Sequence, residues 1–187
     1  NDKVLRLTML FHDMGKPVMK TTDENGRDHF KGHAIASEQI AKTVMKRLKF
    51  DNDTIRKVTK LVAYHDYRME PTGANVRRAM HEIGVELFPY YLAVRLADTK
   101  AQSSYERRGK LENIIQIREL YRNALRNKEC VTLKDLAVTG TDLINLGIAP
   151  GKKLGTLLNE LLDMVIEDPA WNQKGKLCDY VKERFGF

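Results

Sequence analysis

Apolar residues return at intervals of three and four along almost the whole chain, and that spacing leaves room for little besides α-helix. Val4, Leu7, Met9, Leu10 and Phe11 open the pattern. Between residues 33 and 49, Ile35, Ile40, Ala41, Val44, Met45 and Leu48 line one face. Asp51-Asn52-Asp53 then offers a cap to a helix that carries Ile55, Val58, Leu61 and Val62 and ends near His65. Residues 75–83, 87–101 and 104–127 read as three further helices, the last burying Leu111, Ile114, Ile115, Tyr121 and Leu125. No stretch alternates as a half-buried strand would. Residues 21–29 are polar, with a turn signal at Asn25-Gly26 and room for a small hairpin. The expected fold is all-α.

A boundary is expected near Lys128-Glu129-Cys130, which divides the chain into a helical bundle over 1–128 and a smaller helical appendage over 129–187. In the appendage, Thr139-Gly140-Thr141-Asp142 caps a short helix stopped by Gly147, and Pro150-Gly151 turns the chain into a longer helix reaching about Ile166. Asp168-Pro169 breaks that helix, and a last one runs from Lys174. At 187 residues, folding buries roughly 70% of the unfolded surface, enough for a real core without staples. Cys130 and Cys178 lack any close-spaced metal pattern and read as reduced thiols. No run approaches the roughly 20 apolar residues of a membrane span, and no secretory signal opens the chain. The expected setting is cytoplasmic, with no membrane partner; the oligomeric state is left open.

Chemistry concentrates at His12-Asp13, where the first apolar run stops and Gly15-Lys16-Pro17 follows. An imidazole suits borderline metals and a carboxylate hard ones, so the pair fits a divalent transition metal or Mg²⁺. Further candidates sit on later apolar stretches: His33 in Gly-His-Ala, His65 in Tyr-His-Asp, and Asp98 in Arg-Leu-Ala-Asp. A lone histidine on an apolar face is usually a core or capping residue; the ordered set is what points to a site.

That order, carried by Leu-Phe-His-Asp-Met-Gly-Lys-Pro at 10–17 with His33, His65 and Asp98, resembles the HD superfamily of metal-dependent phosphohydrolases. A closer likeness lies within it. His29-Phe-Lys-Gly-His-Ala-Ile-Ala-Ser37, Asn75-Val-Arg-Arg78, Asp98-Thr-Lys-Ala-Gln102 and the leucine-rich segment from Asp142 to Leu162 resemble the HD domain and tail of bacterial CCA-adding tRNA nucleotidyltransferases. The resemblance implies a metal held by His12, Asp13 and Asp98, together with a histidine upstream of Asn1. The metal would be Mg, Mn, Ni or Co, and the substrates phosphomonoesters or 2′,3′-cyclic phosphodiesters. His33 and His65 would either hold a second metal or bind the phosphate and protonate the leaving oxygen. Lys16 would reach a phosphate oxygen that the metal also binds, and Asp66 is placed either to orient an imidazole or as a plain surface residue. The expected catalytic set is therefore Asp13, Lys16, His33 and His65. No Gly-Ser pair followed by Asp-x-Asp, the mark of a nucleotidyltransferase head, occurs, and a start at Asn1 without Met inside a predicted helix points to a fragment.

Charge bears on partners. Residues 1–130 carry 25 Lys or Arg against 17 acids, and residues 131–187 carry 7 against 8. A basic front part suits a phosphate-rich polymer, because bound Lys and Arg release condensed counterions, and the resemblance implies that this polymer is tRNA. Arg118, Arg122 and Arg126 fall four apart on one helix line and are the candidate phosphate contacts, with Glu112 and Glu119 at pairing distance as the argument for a solvated face. Two other readings compete with the phosphohydrolase module: a non-catalytic tRNA-docking body, and an independent HD nucleotide phosphohydrolase.

Overall fold

Helix after helix follows from those caps and turns in a computed structural model of the chain, which describes residues 2–186. Helix α1 (Lys3–Phe11) starts on Asp2, whose carboxylate accepts the Leu5 N–H at 3.0 Å. A short α2 (Lys16–Met19) follows at once. Gly15-Lys16-Pro17, which follows the end of the first apolar run, starts this helix, because proline sits in a first turn whose N–H groups lack partners anyway. Strands β1 (Thr21–Thr22) and β2 (Asp28–His29) form the expected small hairpin, antiparallel with Thr21 opposite His29, turning where Gly26 adopts a positive φ of 75°.

Helix α3 (His33–Arg47) begins after Gly32, which is left-handed at φ 85°, so His33 enters the helix from a turn that favours glycine. Helix α4 (Asn52–Tyr64) is capped as expected. The Asp51 carboxylate accepts the Thr54 N–H at 2.8 Å and the Thr54 hydroxyl at 2.7 Å, and these bonds hold its pKa down at about 2. Then come α5 (Gly73–Ile83), α6 (Phe88–Ala101), α7 (Arg107–Arg126), α8 (Gly140–Asn145) and α9 (Lys152–Glu167). A 3₁₀ turn (Pro169–Trp171) and α10 (Lys174–Phe185) complete the order. Thr139 and Asp142 form a reciprocal capping box on α8, and Gly147, at φ 101°, ends it. Among the described residues, no helix is long and apolar enough to cross a membrane.

The chain forms two compact units, each assembled from two separate stretches: Asn1–Met69 with Ile83–Ile115, and Glu70–Glu82 with Gln116–Phe187. The expected division at 128 marks the end of α7, whereas the units part inside that helix. In the first unit, α1, α3 and α4 close on Phe11, Ala41, Met45, Ile55, Val58 and Val62. In the second, Leu143, Leu157, Leu161, Leu162, Val165, Ile166, Leu177 and Val181 make an aliphatic core. Fully burying a side chain of that kind contributes about 1.5–3 kcal/mol. The second unit also claims most of α5. Arg77, only 7% exposed, donates through Nε to the Ile166 carbonyl at 2.7 Å and through Nη2 to the Glu167 carbonyl at 3.0 Å, and its Nη1 meets Glu129 at 2.8 Å. These are the last carbonyls of α9, which lack partners inside the helix. Both cysteines are free thiols; Cys130 is buried, and burial pushes its pKa up to about 11.

Candidate metal centre

His12 and His65 hold the same place in their helices: each is the C-cap, of α1 and α4 respectively. Each ring doubles back on its own last turn. His12 Nδ1 lies 2.7 Å from the Met9 carbonyl and His65 Nδ1 lies 2.7 Å from the Val62 carbonyl. His33, at the start of α3, does likewise with the Phe30 carbonyl at 2.9 Å. A carbonyl oxygen only accepts, so each Nδ1 carries the proton and donates. In its neutral form each ring would then present its Nε2 as a lone pair, the tautomer a metal ligand requires.

All three Nε2 atoms converge on one carboxylate. Asp13 Oδ1 is 3.5 Å from His33 Nε2 and 3.7 Å from His65 Nε2, and its Oδ2 is 3.3 Å from His12 Nε2. Ligand atoms of Asp13, His33 and His65 lie within 4.8 Å of one another. Asp98 on α6 joins from the other side, with Oδ1 3.8 Å from His12 Nε2. The structure thus brings together His12, Asp13, His33, His65 and Asp98, all within the first unit. His33 Nε2 and His65 Nε2 stand 3.1 Å apart. With both Nδ1 positions protonated, two lone pairs face each other across that gap, and they cannot bond one another without a proton or a cation between them. Convergent N and O donors with this unmet demand fit a divalent cation.

Electrostatics divides the histidines. The Asp98 carboxylate foremost, then the Met9 carbonyl and Asp13, raise the pKa of His12 against its burial. Burial foremost, with the neighbouring His12 and His33, lowers that of His65, which is 2% exposed and so stays neutral with its lone pair free. Asp98 is held below the ordinary carboxylate range by His12 first, with help from Gln102. Asp13, by contrast, keeps about a third of its side chain open. It faces a cleft of about 770 Å³ whose wall also includes Lys16, His33, His65 and Asp98.

Lys16 lies at that cleft, donating to Asp13 Oδ2 at 2.6 Å with its ammonium 5.8 Å from the Phe30 ring centroid. Asp66 has a different task from orienting an imidazole. Its Oδ1 accepts from Arg68 Nε at 3.2 Å and Nη2 at 3.0 Å, and Arg95 lies 3.9 Å away, while the His65 ring takes a backbone carbonyl instead.

Three residues that support the candidate centre were quoted in the sequence motifs without a role of their own. Gly15 N–H donates to the Ser37 hydroxyl at 2.8 Å, and a Cβ at Gly15 would sit 2.4 Å from the His33 carbonyl and 2.6 Å from the Ser37 nitrogen. Glycine there lets the His12-Asp13 loop dock onto the first turn of α3, beside His33. Gln102 donates from its amide to Asp98 Oδ2 at 2.8 Å. Its place four residues after Asp98 on a helix was the available signal.

The arginine line is a separate feature, on the part of α7 that belongs to the second unit. Arg118, Arg122 and Arg126 are all exposed. Arg122 donates to Glu119 at 2.8 Å, Arg118 stands 4.0 Å from the same carboxylate, and Arg126 bonds Asn123.

Comparison with known proteins adds a family. The family model for tRNA nucleotidyltransferase domain 2 matches residues 33–181. A CC-adding tRNA nucleotidyltransferase of Thermus thermophilus is 29% identical over 168 residues, which cover 87% of this chain and 36% of that protein. The chain therefore spans about a third of that relative's length. No solved structure gives a significant match.

Proposed function

The chain belongs to the tRNA nucleotidyltransferase domain 2 family, and on that premise we propose that it is an HD-type, metal-dependent phosphohydrolase module of a CCA-adding tRNA nucleotidyltransferase. The observation that carries this reading is the convergence of three Nδ1-anchored imidazoles on Asp13, with Asp98 beside them. Catalysis falls to residues 1–128, and residues 129–187 form the helical tail. The substrates are phosphomonoesters or 2′,3′-cyclic phosphodiesters, the setting is cytoplasmic, and tRNA is the macromolecular partner.

His12, Asp13 and Asp98 would hold one cation, which is Mg, Mn, Ni or Co, and His33 and His65 would either hold a second or bind the phosphate. Once bound, it supplies Lewis acidity toward a phosphoryl group and an activated water at neutral pH. Asp13 divides its oxygens, Oδ1 toward His33 and His65 and Oδ2 toward Lys16 and His12, so one carboxylate ties the ligand set to the ammonium. Lys16 sits at the cleft to neutralise a phosphate oxygen; its charge is already drawn inward by Asp13. Two cations would occupy both remaining imidazoles. With one, His33, more open to the cleft than buried His65, would first take up a proton at Nε2 from solvent in the cleft and then pass it to the leaving oxygen.

For RNA, the exposed Arg118, Arg122 and Arg126 are the proposed phosphate contacts, positioning the backbone without reading bases. Elemental analysis of the intact protein, with phosphatase and cyclic-phosphodiesterase assays in Mg²⁺, Mn²⁺, Ni²⁺ and Co²⁺, tests the reading. One or two divalent ions per chain and activity abolished in His12→Ala are expected. No bound metal and no activity with any of the four ions would leave a tRNA-docking body without chemistry.

A further inference from the structure

Asp98 has two oxygens, and only one faces the histidines. Oδ1 stands 3.8 Å from His12 Nε2, while Oδ2 accepts the Gln102 amide at 2.8 Å. We propose that Gln102, fixed by Lys110, is the positioning residue that dedicates Asp98 to the metal centre. This inference rests on the metal reading above and concerns how one of its ligands is held.

A glutamine amide is symmetrical in outline, and its neighbours decide which end is which. Here the decision is firm. Lys110 Nζ lies 3.3 Å from Gln102 Oε1. An ammonium has only protons to offer, so the carbonyl end must face Lys110 and the NH₂ end must face Asp98. The backbone is held as well. Gln102 is the C-cap of α6, its N–H donates to the Asp98 carbonyl at 3.1 Å, and its own carbonyl accepts from Arg107. Side chain and main chain of Gln102 therefore both return to Asp98, and the first turns of α7 hold Gln102 in place from behind.

The consequence for Asp98 is directional. A carboxylate free to rotate presents either oxygen to a cation and loses rotational freedom on binding. With Oδ2 already taken by an N–H donor, Oδ1 faces His12 before any ion arrives. Partners that orient a ligand from behind in this way typically change metal affinity or activity by about 10–100-fold when removed. Lys110 acts one step further out, so its removal frees the amide to flip without deleting the donor, and its effect is smaller.

The test is calorimetric titration of Mn²⁺ into the intact protein, in parallel with thermal melting of the same metal-stripped samples. Gln102→Leu is expected to weaken Mn²⁺ binding by about 10–100-fold, and Lys110→Met by severalfold. Their phosphohydrolase activity should recover as Mn²⁺ is raised to saturation, because the ligand itself remains. Gln102→Glu is expected to weaken binding at least as much as Gln102→Leu, since it keeps the Lys110 contact but replaces the donor to Asp98 Oδ2 with a repelling carboxylate. Mn²⁺ affinity unchanged in both Gln102→Leu and Lys110→Met overturns the proposal. So does a loss in Gln102→Leu that is matched by a collapse of the metal-free melting transition while Lys110→Met binds normally, which marks a structural role alone. Failure of the wild-type protein to bind Mn²⁺ or any of the other three ions would instead strike the metal reading, and this inference with it.

Discussion

The two compact units differ in what they bury. The first places Thr8, Ser37, Thr54, Thr59, His65 and Thr99 inside, among the described residues. The second has an aliphatic interior in which Arg77 is the charged group. These groups find partners close at hand: Ser37 receives the Gly15 N–H, Thr8 and Thr59 donate to carbonyls four residues earlier, and Thr54 bonds its own cap. A polar group buried without a partner costs about 1–3 kcal/mol, so such an interior tolerates few changes. The contrast teaches where the candidate site and the plain packing core were placed. The first unit is built around a site, and the second is built around packing.

The largest expected effect attacks the site directly. Asp13→Ala removes the carboxylate on which three imidazoles converge, and loss of detectable bound metal by elemental analysis is the outcome; full metal content would break the comparison. Next, Leu161→Ala in the second unit should lower stability by about 2–5 kcal/mol in urea unfolding, as deletion of a fully buried leucine does, while leaving Mn²⁺ affinity untouched. A change in affinity there would blur the division of labour. Gly15→Ala forces a Cβ against the backbone of α3 and should cost about 1–3 kcal/mol. Unlike the leucine change, it should also weaken metal binding, because His33 and the His12-Asp13 loop must part.

Smaller still is an acid effect at Asp51. Its pKa is held at about 2, below the ordinary 3.8, by Thr54. The cap's stabilisation is therefore fully present above pH 3.8 and fades as pH falls through about 2. Asp51→Asn should flatten that part of the pH–stability profile without changing metal binding at neutral pH. Smallest is Arg122→Ala, which gives up one exposed cation already shared with Glu119. Its tRNA affinity should drop about equally for every tRNA, and the salt slope should shallow by roughly one. An unchanged slope removes Arg122 from the interface.

Much of the architecture could be read in advance because its signals are local. Asp51, Thr139 and Gly147 sit where caps and stops belong, and the apolar spacing marks the helices to within a few residues. The residues of the candidate site stood out for the same reason: His12 and His65 each close an apolar helical run. What escaped was through-space. Nothing near Gly15 in sequence announces a backbone 22 positions away at Ser37, and nothing near α5 announces that Arg77 will hold carbonyls at 166 and 167. The place where the units part, inside the unbroken helix α7, leaves no Gly, Pro or polar cluster to mark it.

Arg77 also sets an order of events for the growing chain. Its segment, Glu70–Glu82, leaves the ribosome well before Glu129, Ile166 and Glu167, the groups that satisfy its guanidinium. Contacts separated by 89 and 90 positions carry a large loop-closure entropy, and such contacts form late. Until α9 is complete, this stretch holds a charged group that has no native place to go. A chain cut at residue 128 would keep it in that condition permanently, with an arginine built for burial and no carbonyls to bury it against. Expressing residues 1–128 alone should therefore give a protein inclined to associate or to bind chaperones, however well its own caps and turns are formed.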